Sequence, residues 1–393
     1  MFLSLLSPLN GANGANGANG ANGANGANGA NGANGANGAN GANGYAGLAG
    51  AISNPLLVAG LIQTTGALAS ASPDLFAKKP WVKSKSIPRM DDHASALVQR
   101  DPTTRFHLAL VELLSGLDFD STTAETAKVQ LRVSGAKNID LLTLIRPGFD
   151  QFHKQLELVI RRSRLRPERT SEILSQVTPQ YSYWSGICGL HPDATPRTIE
   201  ITYIALHFVM MVCQRLKHAL ACPRPHEYSP MVQPIILTPA YTAWPMGHAT
   251  EAYMFTRIIC ALSPTIKAGA EGQLLRLARR VADNRVVAGV HFPIDSPAGF
   301  VLADVIADYF LAKCVAKKPV TPVVLDGTAL DPYGDADSAT VYDAQGAWSK
   351  FVSEGKRDGA PAKKAAAFEG DLSSPLLVQM WSRATTELTA NGF

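Results

Sequence analysis

Lys217-x6-Arg224-Pro225, Pro245-Met246-Gly247-His248 and Arg285-x5-His291-x3-Asp295 interrupt otherwise apolar, helix-patterned sequence, each at an expected helix end. A lysine, two arginines, two histidines and a carboxylate are the parts from which a site for a tetrahedral oxyanion is built. Such an anion carries more charge than one cation neutralises. Arg224 and Arg285 offer planar forks and Lys217 a point charge on a flexible stem. Gly247 precedes His248 where a helix should start, so free backbone amides can face the anion and the helix dipole adds to the attraction. His291 and Asp295 are one turn apart. A carboxylate at that spacing fixes one imidazole tautomer and leaves the other nitrogen as nucleophile or ligand. His248 is placed to give or take a proton.

The sequence around these clusters reads as a helical bundle. Thr195-Pro196 has the form of a helix start, with Thr195 able to cap and Pro196 fitting the first position. The helix that follows is apolar nearly all round, through Ile204, Phe208, Val212 and Leu216, and stops at Pro223. Such a helix belongs in the middle of a bundle. His207 and His218 on it read as core histidines. A second helix begins near Gly247 and ends at Pro264, a third spans Ala270 to Val287, and Ser296-Pro297 caps a fourth from Ala298 to Cys314. Each delivers polar residues at one end, which suggests an all-α bundle with a pocket at its mouth. Earlier helices are expected over Thr103 to Leu117 and from Phe149 to Arg164. The aromatic group Tyr181-Ser182-Tyr183-Trp184 reads as core packing.

Outside residues 100–316 the organisation changes. Residues 1–44 end in an uninterrupted Gly-Ala-Asn repeat, Gly11 to Gly44, that buries no apolar face and reads as a flexible tail; lacking collagen-like proline, it is not expected to form a triple helix. Residues 45–99 comprise an apolar arm, Tyr45 to Pro73, and an extended linker, Lys78 to Arg89. The arm is long enough to span a bilayer, but Asn54-Pro55 and four glycines favour a surface-packed arm or partner contact. Residues 317–393 form an extension with helical patterns at Tyr342 to Phe351 and Pro375 to Leu388, expected to wrap the bundle or contact a second subunit.

The 393 residues are 46% hydrophobic and 17% charged, enough for a substantial core. A formal net charge of +4 with no lysine block interleaved with aromatics gives no reason to expect nucleic acid. The densest basic run, Arg161-Arg162-Ser163-Arg164-Leu165-Arg166 with Arg169 nearby, reads as a solvated helix end where positive charge suits the dipole. Five cysteines at no metal-like spacing read as buried free thiols in a reducing compartment, and with no basic n-region or cleavage site the chain is expected in the cytoplasm.

In their order and spacing the three clusters resemble the type 2 phosphatidic acid phosphatase and vanadium-dependent haloperoxidase superfamily, whose pattern is K-x6-R-P, P-S-G-H, S-R-x5-H-x3-D. The resemblance covers roughly Ile199 to Asp308. It implies an all-α bundle in which Lys217, Arg224, Gly247 and Arg285 hold the oxyanion and His248 is the acid/base. His291, oriented by Asp295, would then be the vanadate ligand of a haloperoxidase that uses hydrogen peroxide to oxidise halide, or the phosphohistidine of a phosphatase. Gly247-His248-Ala249-Thr250 and Gly289-Val290-His291 look more like haloperoxidases; the short distance from His248 to Arg285 looks more like acid phosphatases. Asn284 replaces a serine, and Met246 replaces the P-S-G-H serine, removing a hydroxyl donor. That loss motivates a third reading, an oxyanion-free homologue acting as an interaction module or cofactor-free enzyme. The resemblance also implies a small-molecule substrate and a possible homo-oligomer.

Overall fold

Pro102 fits the first turn of α1 (Pro102–Ser115), whose Phe106, Ala109, Leu110 and Leu113 recur at helical spacing and are buried. Three strands follow, β1 (Leu117–Asp120), β2 (Thr126–Leu131) and β3 (Ile139–Ile145). Next come α2 (Phe149–Arg162), a 3-10 turn at Ser163–Leu165, α3 (Arg166–Ser175) and α4 (Tyr181–Cys188). The central helices are α5 (Pro196–Leu220), the single turn α6 (Pro225–Tyr228), α7 (Gly247–Leu262), α8 (Pro264–Val287) and α9 (Asp295–Cys314). Beyond them lie β4 (Val323–Asp326), β5 (Val352–Ser353), β6 (Ala362–Lys364) and α10 (Pro375–Ala390).

This computed structural model describes residues 59, 63–64, 100–121, 123–177, 180–330, 352–353 and 362–393. The chain divides into two units, Met1–Asp101 and Pro102–Phe393, and every element named here belongs to the second. The Gly-Ala-Asn repeat, the linker, the helix expected over Tyr342 to Phe351 and nearly all of the apolar arm lie outside the described residues.

The all-α expectation is wrong: a mixed sheet of six short strands, the outermost only two residues long, lies beside the helices in the order β1-β2-β3-β4-β6-β5. β2 has the period of a half-buried strand, with Ala127, Val129 and Leu131 buried and Thr126, Lys128 and Gln130 half-exposed. β3 carries four consecutive buried residues, Leu141 to Leu144, a pattern that a buried helix segment shares. Its parallel partner β4 pairs Leu142 with Val323, so the whole helical core forms the crossover between adjacent strands. A pairing between residues that far apart leaves no local trace in sequence.

The helices pack as their patterns require. α7 lies against α5, α8 and α9, and β2 and β3 pack on α5 and α9 respectively. α9 is buried on nearly every face. Trp184 stacks on Phe255 at 4.1 Å between centroids with 5° between the rings, so of the aromatic group Trp184 is core, while Tyr181 and Tyr183 are half-buried and Ser182 is exposed. Pro264 starts α8 rather than merely ending α7, because Ser263 caps the new helix by accepting from Ile266 N. α5 with the turn after it has the length and mean hydropathy of a membrane span, and 72% of its most apolar window is buried inside the protein. His207 packs edge-on to Phe106 and close to Tyr203. His218, expected in the core, is exposed, because its position puts it on the solvent face of the last turn.

Thr195 does not cap α5. Its hydroxyl is engaged with the backbone of His191 instead, accepting from N at 2.9 Å and donating to O at 3.0 Å. The acceptor comes from α10: Glu387 receives Arg197 N at 2.9 Å and Thr198 N at 2.8 Å, placing a carboxylate on the positive end of the α5 dipole. Glu387→Ala is expected to lower stability by about 1–3 kcal/mol, the cost of stranding these donors, read as a shift in urea midpoint with unchanged slope.

Candidate active site

The last turn of α5 brings Lys217 inward, fully buried, where its Nζ donates to the carbonyls of Thr242 (2.8 Å) and Ala243 (2.5 Å). The same loop is clasped from two further sides. Thr242 Oγ1 donates to Lys217 O at 2.7 Å, and Arg224 Nε donates to Tyr241 O at 2.8 Å. Arg224 is held in extended backbone by Pro225 and is 1% exposed. Its Nη1 donates to Val290 O at 2.6 Å and approaches His291 Nε2 at 3.3 Å. Burial pulls the Lys217 ammonium down to about 8, with the Arg224 charge acting in the same direction and Cys213 and Asp295 opposing.

His291 is placed by a sharp turn after α8. Gly289 adopts φ +84°, and a Cβ there would lie 2.8 Å from Arg166 Nη2. Arg166 in turn donates to Val287 O, Gln233 O and Val232 O, which ties the turn to the neighbouring loop. His291 Nδ1 lies 2.7 Å from Asp295 Oδ2, which also accepts Phe292 N at 2.9 Å. A carboxylate oxygen accepts, so the assigned tautomer carries its proton on Nδ1 and leaves the Nε2 lone pair toward Arg224. Burial lowers the His291 pKa well below the usual imidazole value, and the charges of Arg224, Lys217 and Arg285 reinforce it. Burial raises Asp295 to about 7 against the Phe292 amide and the two cations.

Arg285 and His248 complete the cluster. Arg285 is 1% exposed and donates through Nη2 to Ile173 O at 2.8 Å, while its Nε and Nη1 are buried without a hydrogen-bond partner. His248 occupies the second position of α7 and bonds Gln176 O through Nε2 at 3.0 Å, so Nδ1 is its basic nitrogen. Burial pulls this imidazole down to about 3, with Arg285 acting in the same direction. No side chain caps α7, and a Cβ on Gly247 would lie 4.0 Å from Lys217 Cε. All seven residues singled out in the sequence, Lys217, Arg224, Gly247, His248, Arg285, His291 and Asp295, thus converge.

The two departures from the motif pattern have visible consequences. Met246 is fully buried; its amide donates to Asp295 O at 3.0 Å and its sulfur accepts from Ser296 Oγ at 3.7 Å. Asn284 bolts α8 to α3, donating to Glu172 Oε2 and Gln176 Oε1, both at 2.8 Å. The sequence reading missed Glu251, one turn beyond His248 on α7, a signal that helical spacing carries. Burial raises its carboxyl to about 7, opposed by the Arg285 charge.

Chemically, the cluster offers unmet guanidinium donors and a helix start for an anion, a neutral imidazole with an available Nε2, and a second neutral imidazole for proton transfer. No group of three or more His, Cys, Asp or Glu suited to a metal cation occurs among the described residues. Among known families, a collagen triple helix repeat model matches residues 8–55. That match shares the glycine at every third position, covers a small part of the chain and falls wholly outside the described residues. No curated protein matches the chain significantly.

Glu251 gives the site a pH signature. The folded chain keeps a proton that the unfolded chain releases near 4.5, so this group's stabilising contribution is lost as pH rises from there through about 7. Glu251→Gln is expected to flatten that part of the decline, measured as melting temperature against pH between 4.5 and 8.

Proposed function

We propose that this chain is an oxyanion-dependent enzyme of the haloperoxidase type within the type 2 phosphatidic acid phosphatase and haloperoxidase superfamily. In this reading it holds vanadate and uses hydrogen peroxide to oxidise halide. The observation that carries the reading is Arg285, whose Nε and Nη1 are buried without partners beside the uncapped start of α7. Burying unmet guanidinium donors is costly, and an anion in that place removes the cost. Arg285, Arg224, Lys217 and the Gly247 amide would hold the oxyanion, and His291 Nε2 would ligate it.

Vanadate bound there would supply Lewis-acid activation of hydrogen peroxide toward halide. The chain's own residues supply the rest. Asp295 keeps the His291 proton on Nδ1, so Nε2 is the nitrogen offered to the anion, once Arg224 Nη1 releases its 3.3 Å contact. Burial and the neighbouring cations keep His248 neutral here, and the negative charge of a bound oxyanion would raise its affinity for a proton at Nδ1. A hydroxyl at position 246 would add a charge-assisted bond; its absence costs on the order of 1.5–3 kcal/mol of anion affinity.

Phosphate-monoester hydrolysis is the second reading, supported by the junction of α7 and α8 through the single residue Ser263. His291 Nε2 would bond phosphorus as the ester oxygen leaves with a proton from protonated His248; water, giving a proton back to His248, would then attack phosphorus and release phosphate as the P–N bond breaks. Calorimetry with orthovanadate, alongside bromide oxidation and phosphomonoester hydrolysis, separates the readings. Wild type is expected to bind vanadate and oxidise bromide, His291→Ala to lose turnover, and Met246→Ser to bind vanadate about tenfold to a hundredfold more tightly. Hydrolysis without bromide oxidation selects the phosphatase. No vanadate binding in wild type, with binding restored in Met246→Ser, would show that the fold serves another purpose.

A further inference from the structure

The basic run Arg161 to Arg169 is not merely a solvated helix end. Arg161 and Arg162 from the end of α2, Arg164 from the 3-10 turn and Arg169 from α3 line one wall of a cleft of about 630 Å3. Arg276, Arg279 and Arg280 from α8 line the other, together with Asp283. Seven guanidiniums meet one carboxylate in the lining, a net charge of +6.

A helix dipole accounts for cations at the end of α2, but not for Arg276, Arg279 and Arg280, which sit well before α8 ends at Val287. Like charges three and four residues apart on one helix face repel and destabilise it. Internal pairing relieves only part of this. Arg162 and Arg169 share Asp283, and Arg280 holds Glu172 at 2.7 Å. Arg161, Arg164 and Arg276 are exposed and make no ion pair among the described residues.

We propose that this cleft binds a compact, multiply phosphorylated small molecule, such as an inositol polyphosphate or a short polyphosphate. Arg162, Arg169 and Arg280 already hold a carboxylate, which leaves the exposed Arg161, Arg164 and Arg276 spread over both walls. Each phosphate takes one or two guanidinium forks, so several clustered phosphates match that spread better than a single one. The volume is that of a small-molecule site. Leu165 is the only apolar side chain in the lining, and no aromatic ring offers a base-stacking platform, which disfavours single-stranded nucleic acid. The cleft draws on other side chains than the oxyanion cluster: its arginines come from α2, the 3-10 turn, α3 and the middle of α8, and none is among the seven site residues.

The test is calorimetry on the full chain with inositol hexakisphosphate and with sodium tripolyphosphate, at two salt concentrations. Both ligands are expected to bind, more weakly at higher salt, and the Arg164→Glu/Arg276→Glu double variant to bind at least tenfold more weakly with an unchanged circular dichroism spectrum. Orthovanadate affinity or basal activity, where wild type has either, is expected to be unaltered in that variant. His291→Ala is expected to retain hexakisphosphate binding, which separates this site from the oxyanion cluster whether or not that cluster binds vanadate. No binding of either ligand, equal affinity in the double variant, or loss of binding in His291→Ala would overturn the proposal. So would a single-stranded oligoribonucleotide that displaces hexakisphosphate at lower concentration.

Discussion

Two buried cations gripping one strip of backbone hold the site together. Removing Lys217 and Arg224 from water is tolerable only because the carbonyls of Tyr241, Thr242, Ala243 and Val290 replace the lost hydration. The loop carrying the first three of these carbonyls has no helix or strand of its own to fix it. Each side therefore determines the other: the loop gives the charges a place to be buried, and the charges give the loop its path. The end of α5, the start of α6 and the approach to α7 are set by that exchange, and α7 then aims His248 and the Gly247 amide at the same point.

The helical core was legible because its signals are local. Pro196 and Gly247 mark starts to the residue, whereas Ser296-Pro297 lies inside the first turn of α9, which begins at Asp295 without a side-chain cap; the apolar faces are long enough for a 3.6 period to stand out. The convergence of the seven residues singled out in the sequence was legible for a related reason, since six sit at helix ends and His291 lies in the short turn between α8 and α9. The sheet was not. Its strands have two to seven residues, β3 lacks alternation, and the β3–β4 pair spans the entire bundle. Long-range competition also explains Thr195, whose hydroxyl found the closer His191 backbone while a carboxylate from α10 took the helix end. Glu251 was readable but carried no motif to draw the eye.

Asn284 and Met246, the two departures from the motif pattern, behave differently from each other. Asn284 has a clear structural occupation, joining α3 to α8 through Glu172 and Gln176. Because Ile173 and Gln176 also receive Arg285 and His248, α3 and the residue after it back the seven-residue cluster, and α3 is also a wall of the arginine cleft. Met246 fills its space with a thioether resting on Ser296, a neighbour of Asp295. Its methylenes add packing, and its side chain offers no donor at that position.

Glu387 has a bearing on how the chain reaches this state. It stands 189 residues downstream of Thr198, whose amide it receives. On a ribosome, α5 therefore emerges with its leading amides open and stays so until much more of the chain has been made. Contacts of that sequence separation form late and slow a folding reaction. The helix that carries Lys217 can coil early, but its final seating waits for α10, so assembly of the site trails the synthesis of its own residues.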